Sequence, residues 1–259
     1  MASLDRAYRT CATAFCFATF GIGGLALALL VLPLLWLIPR AGPRHRLARF
    51  LIQQLFRFFV ALMSGTGVLT LKVHDAARLR GTGHFILANH PSLIDVVILM
   101  SLVAQPDCIV KSQLWRNPFT WGAVRIAGFI DNQAGPELVE AAVASLRAGH
   151  NLIVFPEGTR THPGAPLRFL RGAANIAARG RVDITPVIFT VSEPTLTKGY
   201  PWYRVPRQRP HFSVYVLPEV PIDPLLASEP AHAHRARWLT EWLEEFFTME
   251  MERHGPPAG

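Results

Sequence analysis

Residues 84–104 read HFILANHPSLIDVVILMSLVA. The opening HFILAN is a short apolar run bounded by polar residues, the pattern of a buried strand. Pro91 disfavours helical dihedrals at His90 and itself suits the first position of a helix. The stretch therefore predicts a strand ending near Asn89, a joint at His90, and a helix over Pro91–Ala104. Residues 151–179 repeat this grammar: NLIVFP is a strand, Pro156 and Gly158 break it, and Arg171–Arg179 is a helix. Outward from these two units, GVLTLKVH (67–74), DCIVK (107–111), DITPVIFTV (183–191) and HFSVYVLP (211–218) read as strands, and FIDN (129–132) as extended. Residues 117–128, Pro136–Ala148 (with Pro136 near the start) and His232–His254 read as helices. In the last of these, Trp238, Leu239, Trp242, Leu243 and Phe246 form one stripe, and the tail HGPPAG is expected to fray. Strands alternating with helices predict an α/β fold: a mixed, largely parallel sheet flanked by helices.

The first 64 residues differ in kind. No charged residue occurs from Cys11 to Pro39, a run long enough to span a bilayer. It exceeds the 7–15 residues of a signal-peptide core. A spanning helix and a re-entrant hairpin broken at Pro33 both fit. Arg40, Arg44, Arg46 and Arg49 follow the run, so the positive-inside rule puts the remainder on the cytosolic face of the cytoplasmic membrane. Over residues 44–64, Leu47, Leu51, Leu55, Phe58, Phe59 and Leu62 recur at helical spacing, with Arg46, Arg49, Gln53 and Arg57 largely elsewhere on the wheel. Two readings stand: an interfacial helix turning its basic residues to lipid headgroups, or a helix docked on the following domain. The organisation expected is a membrane-associated helical pair over 1–64 and an α/β domain over 65–259.

Composition agrees. Half the residues are hydrophobic and only 17% are charged, against about 25% in ordinary soluble domains. The net charge of +8 beside an apolar segment favours anionic lipid as a partner. No helix-turn-helix, zinc or RNA-binding signature supports nucleic acid. Three cysteines without a CxxC pair argue against a disulfide framework and for a reducing compartment.

Two constellations carry chemistry. His90 and Asp95 are the only ionisable groups between His84 and Asp107, and polar groups in so apolar a stretch need a reason. With His90 before the helix and Asp95 early in it, the imidazole can fold back onto the carboxylate. That contact fixes the tautomer and leaves the other ring nitrogen as a base for an attacking alcohol. A helix cap with a structural His–Asp bond is the bland reading. In the second constellation, Glu157, Thr159 and Arg160 are presented past the end of a strand, the edge where open α/β sheets bind ligands. Arg supplies a donor fork suited to phosphate, though a solvated Glu–Arg loop would read the same.

Together, Asn89-His90-Pro91-Ser92-Leu93-Ile94-Asp95 and Phe155-Pro156-Glu157-Gly158-Thr159-Arg160 resemble the N-H-x4-D and F-P-E-G-T-R blocks of the glycerolipid acyltransferase family. Lys111, residues 128–131 and Thr185-Pro186-Val187 are similar to its weaker blocks. The resemblance covers roughly Leu69–Leu217. It implies His90 as general base, Asp95 as its orienter, and Glu157, Gly158, Thr159, Arg160 and Lys111 as acceptor-binding residues. It further implies an acyl-ACP or acyl-CoA donor, a lysolipid acceptor, contact with membrane lipids, and neither metal nor redox cofactor. One position departs: Asn132 stands where the family's middle block usually ends in an arginine for the acceptor phosphate. The expected reaction is acylation of a lysophospholipid-like hydroxyl, foremost that of 1-acylglycerol-3-phosphate. An acyltransferase for a non-phosphate acceptor and a non-catalytic lipid-binding membrane protein are the alternatives. A thioesterase or lipase is disfavoured by the lack of G-x-S-x-G.

Overall fold

The computed structural model describes residues 2–116, 120–132, 137–228 and 235–255. Pro136, the opening of the helix expected over 117–128, residues 232–234 and most of the tail lie outside these residues.

Helix α1 (Ala2–Ala26) runs through a π-helical turn (Leu27–Val31) into α2 (Leu32–Leu35). Pro33 lies directly after that π-helical turn, the kind of local irregularity with which a continuous helix accommodates a proline. The chain therefore does not break there; it reverses at residues 36–40 and returns as α3 (Ala41–Gly65). A Cβ on Gly23 would lie 3.3 Å from Leu55 Cδ1, and Phe20 packs on Phe56 and Phe59, so the two helices are in close contact. Leu4–Leu35 and Ala41–Gly65 are both long and apolar enough to cross a membrane.

The remaining elements are β1 (Thr70–His74), β2 (Phe85–Ala88), α4 (Asp95–Leu102), β3 (Pro106–Val110), α5 (Ser112–Arg116), α6 (Trp121–Ala127), β4 (Ile130–Asp131) and α7 (Glu137–Arg147). After them come β5 (Asn151–Val154), α8 (Arg171–Gly180), β6 (Ile184–Val191), β7 (His211–Val216), α9 (Ile222–Ala227) and α10 (Arg235–His254). The sheet order is β1-β7-β6-β2-β5-β3-β4, and every neighbouring pair is parallel except β6 with β7. The expected mixed, largely parallel sheet is the one observed. Helices α5 and α9 were not anticipated; each is at most six residues long, too short for a periodicity to register.

Alternation along the strands divides the core. Ile86, Ala88, Ile153, Val187 and Phe189 face a layer that includes α1, α3, α4 and α6; Phe85, Leu87, Leu152, Val154 and Ile188 face α7, α8 and α10. Burying one such Ile, Leu or Phe contributes about 1.5–3 kcal/mol relative to exposure. On α10 the buried line is Leu239, Leu243 and Phe247, with Trp238, Trp242 and Phe246 on its flank.

Helix α3 corrects the headgroup reading of two of its polar residues. Arg49 and Gln53 are buried. Arg49 Nε donates to Ala127 O (2.8 Å) and its Nη2 pairs with Asp107 Oδ2 (2.9 Å); Gln53 Nε2 donates to Val103 O (2.6 Å). Leu47, Phe50 and Phe58 are instead exposed. Two polar groups of the helix thus point into the protein and three large apolar ones point outward, while Ala48, Ile52, Phe59 and Met63 are buried as well. Such a polarity is favourable where the surroundings are hydrocarbon, because polar groups must then find protein partners. Arg46 and Arg57 stay on the surface, as expected.

Candidate active site

Strands β2, β5, β3, β4 and β6 are mutually parallel, so their C-terminal ends meet at one edge of the sheet. His90 follows β2, Phe155–Arg160 follow β5, Lys111 follows β3 and Asn132 follows β4.

Helix α4 begins at Asp95, four residues later than expected, and Pro91 lies in the turn before it. The cause is local. Asp95 Oδ2 accepts the Ser92 N–H (2.6 Å) and Oδ1 accepts Ser92 Oγ–H (2.6 Å), which closes residues 92–95 into a turn. His90 folds back over it, with Nδ1 3.1 Å from Asp95 Oδ2. Complete burial pushes the Asp95 carboxyl above its ordinary value, while donors from His90 and Ser92 work against that. With the proton on Nδ1, all three groups donate to the Asp95 carboxylate and Nε2 keeps its lone pair. Phe155 packs on the imidazole at 4.5 Å between ring centroids.

Two side chains brace the joint. Asn89 Nδ2 donates to Phe189 O (2.9 Å) and its Oδ1 accepts the Phe189 N–H (2.7 Å), pinning the end of β2 to β6. Glu157 Oε1 accepts the His90 N–H (2.6 Å), and its Oε2 is hydrogen-bonded to Thr161 Oγ1. Burial pushes Glu157 up to about 7. Its carboxyl points at the backbone carrying the imidazole. Gly158 has φ +65°, and a Cβ there would lie 2.5 Å from Leu170 Cδ1, so the turn requires glycine. Thr159 is exposed; Arg160 is half-buried and donates Nη1 to Leu196 O (3.0 Å), leaving most of its fork for a ligand.

His90, Glu157 and Thr161 line a cavity of about 300 Å³, the lower end of the range for ligand pockets. Its walls include Leu167, Phe189, Val191 and Met251, and Thr197 Oγ1 is buried there without a partner among the described residues. An orphan hydroxyl of this kind is one a ligand can satisfy. Lys111 is exposed at the β3 end and is not part of that wall; it neighbours Asn132, whose Oδ1 accepts the Ser112 N–H (3.1 Å). Asn132 therefore caps the start of α5, a task an arginine cannot perform.

The sequence reading had not singled out roles for Ser92, Asn89, Thr161 or the Leu196 carbonyl. Ser92-x-x-Asp95 carries the spacing of a capping box, which signals the first. Bonds between Asn89 and residue 189, or Arg160 and residue 196, have no counterpart in local spacing. Among the described residues no group of His, Cys, Asp and Glu is placed to hold a metal ion.

Residues 70–190 match the family model described as Acyltransferase. The chain is 28% identical over 169 residues to a 1-acyl-sn-glycerol-3-phosphate acyltransferase of Saccharomyces cerevisiae, covering 61% of this chain and 54% of that protein. It is 31% identical over 179 residues to the human alpha form, covering 61% of this chain and 60% of that one. The chain thus spans little more than half the length of these relatives. The crystal structure of the 1-acyl-sn-glycerophosphate acyltransferase PlsC from Thermotoga maritima shares the fold with a TM-score of 0.64 at 19% identity, covering 96% of this chain and 97% of that one.

Proposed function

We propose that the chain is an acyltransferase of the glycerolipid type, and that it transfers a fatty acyl chain from an acyl-ACP or acyl-CoA thioester to the free hydroxyl of a lysophospholipid, foremost 1-acylglycerol-3-phosphate. The observation that carries the proposal is the His90–Asp95 pair, held by Ser92 and braced by Glu157 at the wall of a cavity. His90 Nε2 takes the proton of the acceptor hydroxyl as its oxygen attacks the thioester carbonyl carbon. The tetrahedral intermediate collapses, the C–S bond breaks, and the thiolate leaves with the proton from the imidazolium. Asp95 holds the tautomer and offsets the imidazolium charge that forms in between. The acyl group passes from the thioester to the hydroxyl and the hydroxyl's proton ends on the thiol, so the step balances without an oxidant or reductant.

Arg160, in the loop after β5, and Lys111, after β3 at the same sheet edge, are proposed to hold the acceptor's phosphate. In the same proposal Thr159 lies along the acceptor path, while Glu157 and Gly158 shape the loop that presents Arg160. The hairpin of α1, α2 and α3 is proposed to insert into the cytoplasmic membrane, with the sheet on the cytosolic side. The Asn132 cap supports a second reading, an acceptor without a phosphate, because one cation of the family's usual set is replaced by a neutral amide.

The test is a competition between 1-acylglycerol-3-phosphate and neutral hydroxyl-bearing lipids for one labelled acyl thioester. The leading reading expects the phosphate ester to win by at least about 10-fold, since each charge-assisted bond is worth roughly 1.5–3 kcal/mol. Preference for a neutral lipid would replace it with the second reading. Asn132→Arg would not by itself decide the matter, because it also removes the acceptor for the Ser112 N–H.

A further inference from the structure

The connection from β6 to β7, residues 192–210, is long for a loop without secondary structure in an α/β domain, and its outer part takes no part in the reaction proposed above. Because β6 and β7 are antiparallel, both of its ends lie at the same sheet edge as His90. Its inner part belongs to the site: Leu196 O accepts Arg160 Nη1 and the Leu93 N–H (3.0 Å each), and Leu196 holds φ +51°, uncommon for a branched residue. Its outer part is fastened to the first helix. Arg9, 2% exposed, spreads its guanidinium over the carbonyls of Pro206 (3.0 Å), Arg207 (2.7 Å) and Gln208 (3.1 Å). Arg6 Nε donates to Val205 O (3.0 Å), and Arg209 Nη2 donates to Ser64 O (2.9 Å) and Leu69 O (2.6 Å) at the end of α3.

Between these anchors the loop presents a particular chemistry. Tyr200, Trp202 and Tyr203 are exposed by 41%, 45% and 60%. Lys198, Arg204 and Arg207 lie among them, with Arg204 stacked over Tyr200 at 4.1 Å, and Glu193 is the sole acidic residue of the segment. The aromatic surface is continuous with the helices: ring contacts run from Phe59 to Phe17 (5.8 Å), to Trp202 (6.2 Å) and to Tyr203 (5.7 Å). Phe58, beside Phe59, is 56% exposed on the outward face of α3. Amphipathic rings mixed with cations, next to an apolar surface, are the composition of the headgroup layer rather than of bulk water or hydrocarbon.

We propose that residues 198–207 form a membrane-surface contact for anionic phospholipid headgroups, separate from the inserted helices and continuous with them. Tyr200, Trp202 and Tyr203 lie at headgroup depth, and Lys198, Arg204 and Arg207 meet the lipid phosphates. The proposal rests on the insertion of α1–α3 proposed above. Extraction by alkaline carbonate tests that insertion independently, so a solvent-exposed loop on a carbonate-resistant protein overturns this contact alone.

The experiment uses the full chain in vesicles of phosphatidylcholine with or without phosphatidylglycerol. Cys11 is replaced by serine; Cys16 and Cys108 are buried, so Tyr203→Cys takes an environment-sensitive fluorophore, as does Tyr200→Cys in a second variant. The expected result is emission shifted to the blue and protection from iodide, both stronger with phosphatidylglycerol. The same label at Arg237→Cys, exposed on α10, should remain open to iodide. Lys198→Glu, Arg204→Glu and Arg207→Glu together should abolish the response to phosphatidylglycerol, since each cation at an anionic surface favours contact by about five-fold. Labels at both positions as open to iodide as the α10 control would overturn the proposal. Protection that is the same in both lipids, and unaltered by charge reversal, would overturn its anionic-headgroup part.

Discussion

Two buried carboxylates make different uses of similar surroundings. Asp95 is 0% exposed and Asp107 is 2% exposed. Asp95 begins the helix after β2, at the catalytic edge; Asp107 is the second residue of β3, toward the opposite edge of the sheet. Asp95 has an imidazole five residues away as its partner. Asp107 has Arg49, brought from α3, and also accepts Ser145 Oγ–H (2.5 Å) and the Cys108 N–H (2.9 Å). An arginine stays charged at any working pH, so the Asp107 pair is a permanent fastening between the apolar hairpin and the sheet. His90 lines the cavity with its second ring nitrogen not engaged by Asp95, so the Asp95 pair can take part in a reaction. One pair is proposed to serve the transfer and the other fastens two parts of the fold, and substitutions should separate the two by which quantity they change.

The largest effect is expected at the first pair. His90→Ala should lower kcat by about 10²–10⁴-fold, the range general bases supply, with little change in the thermal midpoint in detergent. Asp95→Asn should follow it, because an amide can hold the wrong imidazole tautomer. Turnover near the native value in purified His90→Ala would end the proposed chemistry. At the second pair the pattern should invert. Arg49→Ala leaves the Asp107 carboxylate buried and unpaired, at a cost of about 3–5 kcal/mol, while protein that remains folded should keep most of its kcat. Arg49→Met with Asp107→Leu should recover much of that stability, since well-packed apolar pairs replace buried ion pairs at little cost. A fall in kcat in Arg49→Ala as steep as in His90→Ala would erase the distinction.

A smaller effect is expected at Glu157, the third buried carboxyl. Its proton is held up to about 7, against an ordinary value of 4.5. Below about 4.5 the folded and unfolded chains both carry this proton. As pH rises from there the unfolded chain ionises first, so the residue's contribution to stability falls, levelling off above about 7. Glu157→Gln keeps an acceptor for the His90 N–H and cannot ionise, so its midpoint should vary less with pH over that window. Parallel pH profiles for the two proteins would assign the dependence to other groups.

Much of the catalytic edge is legible from sequence because it is local. Pro91 and Ser92-x-x-Asp95 dictate how residues 89–95 turn, and Pro156 and Gly158 dictate how β5 ends. Apolar runs of four to eight residues separated by turn signals suffice for strands, and their alternation with helices suffices for a largely parallel sheet. Periodicity left α3 open between an interfacial and a docked helix. It sorts residues by polarity alone, and only the structure shows Arg49 and Gln53 turned inward onto the domain.

The sequence by itself determined most of the strands and helices, the His90–Asp95 turn and the apolar character of the first 64 residues, because each depends on residues within a few positions of one another. Only the tertiary structure decided that Asn89 is locked to Phe189, Arg160 to Leu196, Arg49 to Asp107 and Arg9 to the carbonyls of 206–208. The last three of these bring a long charged side chain to a partner that nothing in its own neighbourhood specifies. A buried guanidinium must find acceptors, but its sequence records only that need; which acceptors meet it depends on how the strands have already been ordered.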